Sequence, residues 1–127
     1  MVIEITIAML SQLVVSTAKY IKDNVVNQTE INIDNSKSNH MLRNGQYVLG
    51  VGNRINSFSI VVDPKEKMTT ETKSVMRESC SMIIYKIGDL PLYLAVGWKI
   101  PAIGGGRNKT FVFVRRENDL EIPDNNL

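Results

Sequence analysis

One histidine and one cysteine limit the chemistry that this chain offers. His40 follows the polar stretch Asn35-Ser36-Lys37-Ser38-Asn39, with no second metal-type ligand at useful spacing, so a surface position is expected. Cys80 falls in the apolar run Ser79-Cys80-Ser81-Met82-Ile83-Ile84-Tyr85. A reactive thiolate needs a basic, accessible setting, so a small buried hydrophobe is the expected role there. The acids Asp34, Asp63, Glu66, Glu71, Glu78 and Asp89 stand mostly in turn-like or loop-like sequence, where solvated charge is the ordinary state. Gly50-Val51-Gly52 lacks the third glycine and the following helix of a dinucleotide fingerprint. Gly104-Gly105-Gly106-Arg107 lacks the lysine-serine ending of a phosphate loop and reads as a flexible connection. No enzyme, cofactor or metal site is expected.

Composition narrows the partner. The chain has 127 residues, 43% hydrophobic and 22% charged, which fits a single domain over 1–127 with its own core. Net charge is +2, and Lys and Arg are scattered without a run, so nucleic acid is not an expected partner. A single cysteine excludes an internal disulfide. Residues 1–6 carry Glu4 and no basic n-region, so no signal peptide is evident, and no apolar run reaches the ~18 residues of an obligate spanning helix. Asn27-Gln28-Thr29 and Asn108-Lys109-Thr110 match the glycosylation pattern, which also arises often by chance.

The elements that would position a site are legible from periodicity. Leu92, Leu94, Val96, Trp98 and Ile100 alternate with Tyr93, Ala95, Gly97 and Lys99, the period-two pattern of a half-buried strand. With residues 79–87 and the Gly88-Asp89 turn, this predicts an antiparallel hairpin. Glu30-Ile31-Asn32-Ile33-Asp34 and Thr110-Phe111-Val112-Phe113-Val114 read as further strands. Tyr47, Leu49 and Val51 share one strand face, and Phe58, Ile60 and Val62 share another; residues 65–73 read as an exposed loop and 117–127 as a loose tail. Over 7–26, Leu10, Leu13, Val14, Thr17, Ala18, Ile21 and Val25 recur at steps of three and four, the spacing of an amphipathic helix. The expected fold is α+β, an antiparallel β-sandwich with that N-terminal helix packed on it.

An apolar helical stripe docks on a core or enters a lipid interface, and about twenty residues at 1.5 Å each make ~30 Å, near the hydrocarbon thickness. In order along the chain, the helix, Ile31-Asn32-Ile33-Asp34-Asn35, Met82-Ile83-Ile84-Tyr85-Lys86-Ile87-Gly88-Asp89, Leu92-Tyr93-Leu94-Ala95-Val96-Gly97-Trp98-Lys99-Ile100-Pro101 and Phe111-Val112-Phe113-Val114-Arg115 resemble the actinoporins, pore-forming cytolysins. The resemblance implies a secreted protein, acting at a target-cell membrane, that binds sphingomyelin or another phosphocholine lipid, inserts its helix and forms a homo-oligomer. It implies headgroup contacts at Lys99, Pro101, Tyr93 and Trp98, and insertion through Leu10, Leu13, Val14, Ala18, Ile21 and Val25. Lys99 stands where the family has a serine, and the tyrosine-rich segment beyond its last strand has no counterpart here. The alternative expectation is a lectin-like sandwich that binds glycans without inserting anything.

Overall fold

Side chains that alternate between a buried and a solvated face set most of this chain in strands. The computed structural model describes residues 2–9, 12–16, 26–101 and 107–116. It places there β1 (Val2–Met9), β2 (Gln12–Ser16), β3 (Val26–Asp34), β4 (Leu42–Leu49), β5 (Arg54–Asn56), β6 (Lys67–Val75), β7 (Ser79–Ile87), β8 (Leu92–Ile100) and β9 (Lys109–Arg116). A five-stranded sheet runs β2-β1-β3-β6-β5 and a four-stranded sheet runs β4-β7-β8-β9. All neighbours are antiparallel except β1 and β3, which run parallel.

The sheets share one apolar layer. Ile3, Ile5 and Ile7 of β1, Ile31 and Ile33 of β3 and Met68 of β6 form a single buried cluster with Leu42, Ile83, Tyr85, Ile87, Leu94, Val96, Trp98 and Ile100 of the other sheet. Each fully buried aliphatic side chain contributes about 1.5–3 kcal/mol by leaving water. The hairpin read from sequence is present, with β7 and β8 in register from Ser79 opposite Ile100 to Lys86 opposite Tyr93.

The expected α+β fold is overturned: among the described residues the protein is all-β, with no helix. Ile7, the first residue of the expected helix, is a core residue of β1. Leu13 and Val14 lie in β2, opposite Ile7 and Thr6. Leu10, Ala18, Ile21 and Val25 lie outside the described residues, as does the tail over 117–127. The reason is local. Ile3, Ile5 and Ile7 recur at the strand period with β-branched side chains, and a strand needs hydrogen-bonding neighbours that β2 and β3 supply. The three-and-four spacing further along did not carry that information.

Two further readings are corrected. Residues 65–73 are largely β6 rather than a loop, its Met68, Thr70, Thr72 and Ser74 buried on alternate positions. Phe58, Ile60 and Val62 do not form a strand of the sheets; the strand after the turn is the short β5, and Val62 makes an isolated bridge with Leu42. Asn35 closes the far end of β3: its side-chain amide lies 2.8 Å from the His40 carbonyl, 3.3 Å from that of Val62 and 3.2 Å from that of Asp63. Beside it, hydrogen bonds from Ser36 hold the Asp34 carboxyl below its ordinary value.

The placement of β1 gives a direct test. Ile5→Ala should cost about 2–5 kcal/mol in denaturant unfolding, the range for a truncated core isoleucine. A loss under 1 kcal/mol would mean that this segment is not built into the core.

Candidate functional site

Two turns that project from one end of the sandwich carry large, exposed apolar side chains. The first joins β4 to β5 and holds Val51; the second joins β6 to β7 and holds Met76. Val51 and Met76 are each 80% exposed, and Val75 beside Met76 is 59% exposed. Met76 adopts φ 52°, a left-handed conformation uncommon for an unbranched bulky residue. Neither position is one where burial explains an apolar side chain.

Hydrogen bonds hold these turns in shape. The Gly50 amide donates to the Cys80 carbonyl at 2.6 Å. The Asn53 side chain donates to the Glu78 carbonyl at 3.1 Å and accepts from the Cys80 amide at 3.1 Å, tying the first turn to the start of β7. Ser74 Oγ donates to the Arg77 carbonyl at 2.9 Å and closes the second. The turns touch: Gly52 has φ 75°, and a Cβ there would lie 2.7 Å from Arg77 Cδ. At the same end Asn27 Nδ2 reaches the carbonyls of Ile100 at 3.0 Å and Pro101 at 3.2 Å, stitching one sheet to the other. Asn27, the first residue of a glycosylation-type triplet, is therefore engaged within the fold.

Cations scattered in sequence are gathered here by register. Arg54 on β5 stands opposite Lys73 on β6, and Lys99 on β8 stands opposite Lys109 on β9. Like charges directly opposite one another destabilise a sheet. Elsewhere such pairs are relieved: Arg43, opposite Lys86, has Asp89 at 3.2 Å, and Glu71, opposite Glu30, accepts from Gln28 Nε2 at 2.5 Å. Lys99 has Glu78 at 3.8 Å. Arg54, Lys73 and Arg77 are exposed and have no carboxylate within salt-bridge distance among the described residues. The end is thus apolar at its tips and cationic around them.

The four residues expected to contact a headgroup do not form one pocket. Trp98 is 2% exposed in the core and its Nε1 has no hydrogen-bond partner among the described residues. Tyr93 and Lys99 lie on the opposite, outer face of β8, six residues apart, which is about 20 Å along a strand. Lys99 is exposed and Pro101 half-buried, both at the end that bears Val51 and Met76. Cys80 is half-buried on that outer face rather than in the core. Among the described residues no three of His, Cys, Asp and Glu come together in a metal-holding group. Periodicity sets Val51 on a strand and gives Met76 no role; the usable signal is a large apolar residue within three positions of an arginine in turn sequence, Val51-Gly52-Asn53-Arg54 and Val75-Met76-Arg77.

A second feature borders the first. The unpaired side of the sandwich holds an open groove of about 760 Å³ lined by Gly45, Gln46, Tyr47, Val48, Leu49, Ile55, Phe58 and Ile60. Its wall is an aromatic ladder: Tyr47 meets Phe58 edge-on with ring centroids 5.1 Å apart, and Phe58 stacks on Tyr85 at 5.7 Å. Tyr85 O–H donates to the Ser59 carbonyl at 2.5 Å, which pins the 58–60 segment to the core. Gly45 is required here, since a Cβ would lie 2.7 Å from the Tyr85 ring and 2.8 Å from the Ile60 carbonyl.

No family model, no curated protein and no solved structure matches this chain.

Burial pushes the Tyr85 phenol above its ordinary value of 10.0. A raised acid favours the neutral folded form, so its contribution is complete below pH 10.0 and is lost as pH rises from there toward the folded value. Tyr85→Phe should cost about 0.5–1.5 kcal/mol near neutral pH and flatten the alkaline fall in stability, read from unfolding curves across that window. An unchanged alkaline fall would assign it to other groups.

Proposed function

We propose that this protein is a non-catalytic, membrane-docking β-sandwich that sets its Val51 and Met76 turns into the interface of an anionic bilayer. The observation that carries the reading is the pair of touching turns, each with a fully presented apolar side chain, ringed by Arg54, Lys73 and Arg77 without carboxylate partners among the described residues. Apolar side chains gain by leaving water for the acyl boundary, while each basic residue near an anionic surface adds about 1 kcal/mol. The two terms act on the same end of the molecule and reinforce one another.

The resemblance of the β7–β8 hairpin to the actinoporins supports a lipid partner. Lys99 and Pro101, at the same end, take part as flanking contacts rather than as a headgroup pocket shared with Tyr93 and Trp98. Docking of this kind uses preformed turns and asks for no segment to leave the fold. A glycan reading has less behind it, because the exposed groups on these turns are aliphatic side chains and cations rather than a convergent set of hydrogen-bonding groups.

Vesicle co-sedimentation tests the reading. Wild-type protein should bind phosphatidylserine-containing vesicles. Val51→Glu with Met76→Glu should reduce binding by about tenfold or more, because two added charges must stay in water. Both positions are solvent-exposed, so thermal unfolding should change little. Wild-type protein that stays in the supernatant at micromolar concentration, or a double variant that binds as well, removes the proposal.

A further inference from the structure

We infer that the outer face of the four-stranded sheet is a platform for single-stranded nucleic acid, with bases on Phe111 and Phe113 and phosphates at Lys86, Lys109 and Arg115. The inference stands apart from membrane docking, which uses the turns at one end of the sandwich rather than a sheet face. Register, not a run of basic residues, assembles the site.

Charge is divided unevenly between the two sheets. β4, β7, β8 and β9 carry Arg43, Lys86, Lys99, Lys109, Arg115 and Arg116 and not one Asp or Glu, whereas β3 and β6 of the other sheet carry Glu30, Asp34 and Glu71. Leu94, Val96, Trp98 and Ile100 of β8 face the core, so Tyr93, Ala95, Gly97 and Lys99 face outward, and their register partners share that face. Two rows of cations result. Arg43, Lys86, Tyr93 and Arg115 stand side by side in one, and Cys80, Lys99 and Lys109 in the other, six residues or about 20 Å away along the strands. Asp89 lies 3.2 Å from Arg43 and Glu78 lies 3.8 Å from Lys99, while Lys86, Lys109 and Arg115 have no carboxylate within salt-bridge distance among the described residues. The complement of such a face is a polyanion.

Between the rows the surface is aromatic and apolar. Gln46, Ile84, Ala95 and Phe113 form one band across the sheet, and Val48, Met82, Gly97 and Phe111 form the next. The Phe111 ring lies over Gly97, where a Cβ would collide with it, and Phe111 remains 45% exposed. Its ring and that of Phe113 have centroids 5.7 Å apart and planes within 17° of parallel, and the Arg115 guanidinium stands 5.2 Å from the Phe113 centre. Along β9 the outward order is therefore cation, ring, ring, cation. Unpaired bases stack on aromatic rings and guanidinium planes while basic groups track the backbone, so one ligand satisfies both features.

Other occupants match only part of this surface. An anionic glycan needs directed hydrogen bonds for its hydroxyls, and Gln46 is the one polar side chain in the two bands. A second copy laid face to face would set cations against cations, with no carboxylate on these strands to relieve them. A bilayer favours side chains that protrude, whereas Phe113 is half-buried and Ile84 and Ala95 in the same band are buried.

A fluorescein-labelled oligothymidine of about 12 nucleotides, within the usual range of single-strand sites, is the probe, read by anisotropy on the full chain at low salt. The expected result is saturable binding that weakens steeply as salt is added. Phe111→Ala and Phe113→Ala should each weaken it about fivefold or more, the scale of one lost base stack, while Phe111→Trp retains it. Lys109→Gln with Arg115→Gln should weaken it and lower the slope of log affinity against log salt by about 0.7 for each phosphate contact removed. An abasic oligonucleotide of equal length has the same charge and nothing to stack, and should bind about tenfold or more weaker. Val51→Ser with Met76→Ser strips the docking turns without altering charge and should bind as wild type does, which separates this inference from vesicle docking. Absence of saturable binding overturns the inference, as does equal binding of the abasic oligonucleotide. Wild-type affinity in both Phe111→Ala and the Lys109→Gln, Arg115→Gln pair overturns it as well. A Phe111→Ala variant that loses vesicle sedimentation but keeps the oligonucleotide assigns the face to lipid and overturns it equally.

Discussion

The burial of two inner sheet faces on one another is the constraint from which the other features follow. Ile31 and Ile33 of β3 and Leu94, Val96, Trp98 and Ile100 of β8 lie in one cluster, and each strand interior must keep one face apolar to join it. That demand fixes register, because a shift by one residue would turn every buried side chain outward. Fixed register then decides which side chains meet on the outer faces and at the turns. Lys99 meets Lys109, and Arg54 meets Lys73, as a by-product of keeping the core residues in place.

The end that carries Val51 and Met76 is stiffened by groups of a different kind. Thr29, Thr72 and Ser79 are fully buried there, with Thr29 and Ser79 hydroxyls 3.2 Å apart and Thr72 and Ser79 hydroxyls 3.4 Å apart. Buried hydroxyls that satisfy one another cost little, whereas any one left alone would be expensive. Together with Asn27 and Asn53, they hold the turns by directional bonds where the apolar layer thins out. The groove uses the opposite logic, with aromatic packing for walls and one phenolic hydrogen bond as an anchor.

What the sequence disclosed follows from the same chemistry. The β7–β8 hairpin, β3 and β9 were legible because their inward positions are mostly aliphatic or aromatic at strict period two. β6 was hidden because three of its inward positions are Thr70, Thr72 and Ser74, polar types that read as a solvated loop. They tolerate burial because each hydroxyl finds a partner: the Asn56 carbonyl at 2.8 Å, Ser79, and the Arg77 carbonyl. The expected helix failed for a related reason. Its stripe obeyed a 3.6-residue period, yet the isoleucines up to Ile7 obeyed period two, and the pairing of β1 with β2 settled the conflict for the described residues up to 16. The cationic end around Val51 and Met76 was invisible because cations far apart in sequence meet only through strand register.

The Arg54–Lys73 juxtaposition links the mechanics of the free protein to its surroundings. Two like charges held side by side raise the energy of the unliganded fold, and mobile ions at ordinary ionic strength damp that repulsion over about 10 Å. An electrolyte therefore steadies the solitary sandwich, and under the proposed docking it would at the same time weaken attraction to an acidic surface. Dilute medium leaves this like-charge contact least relieved.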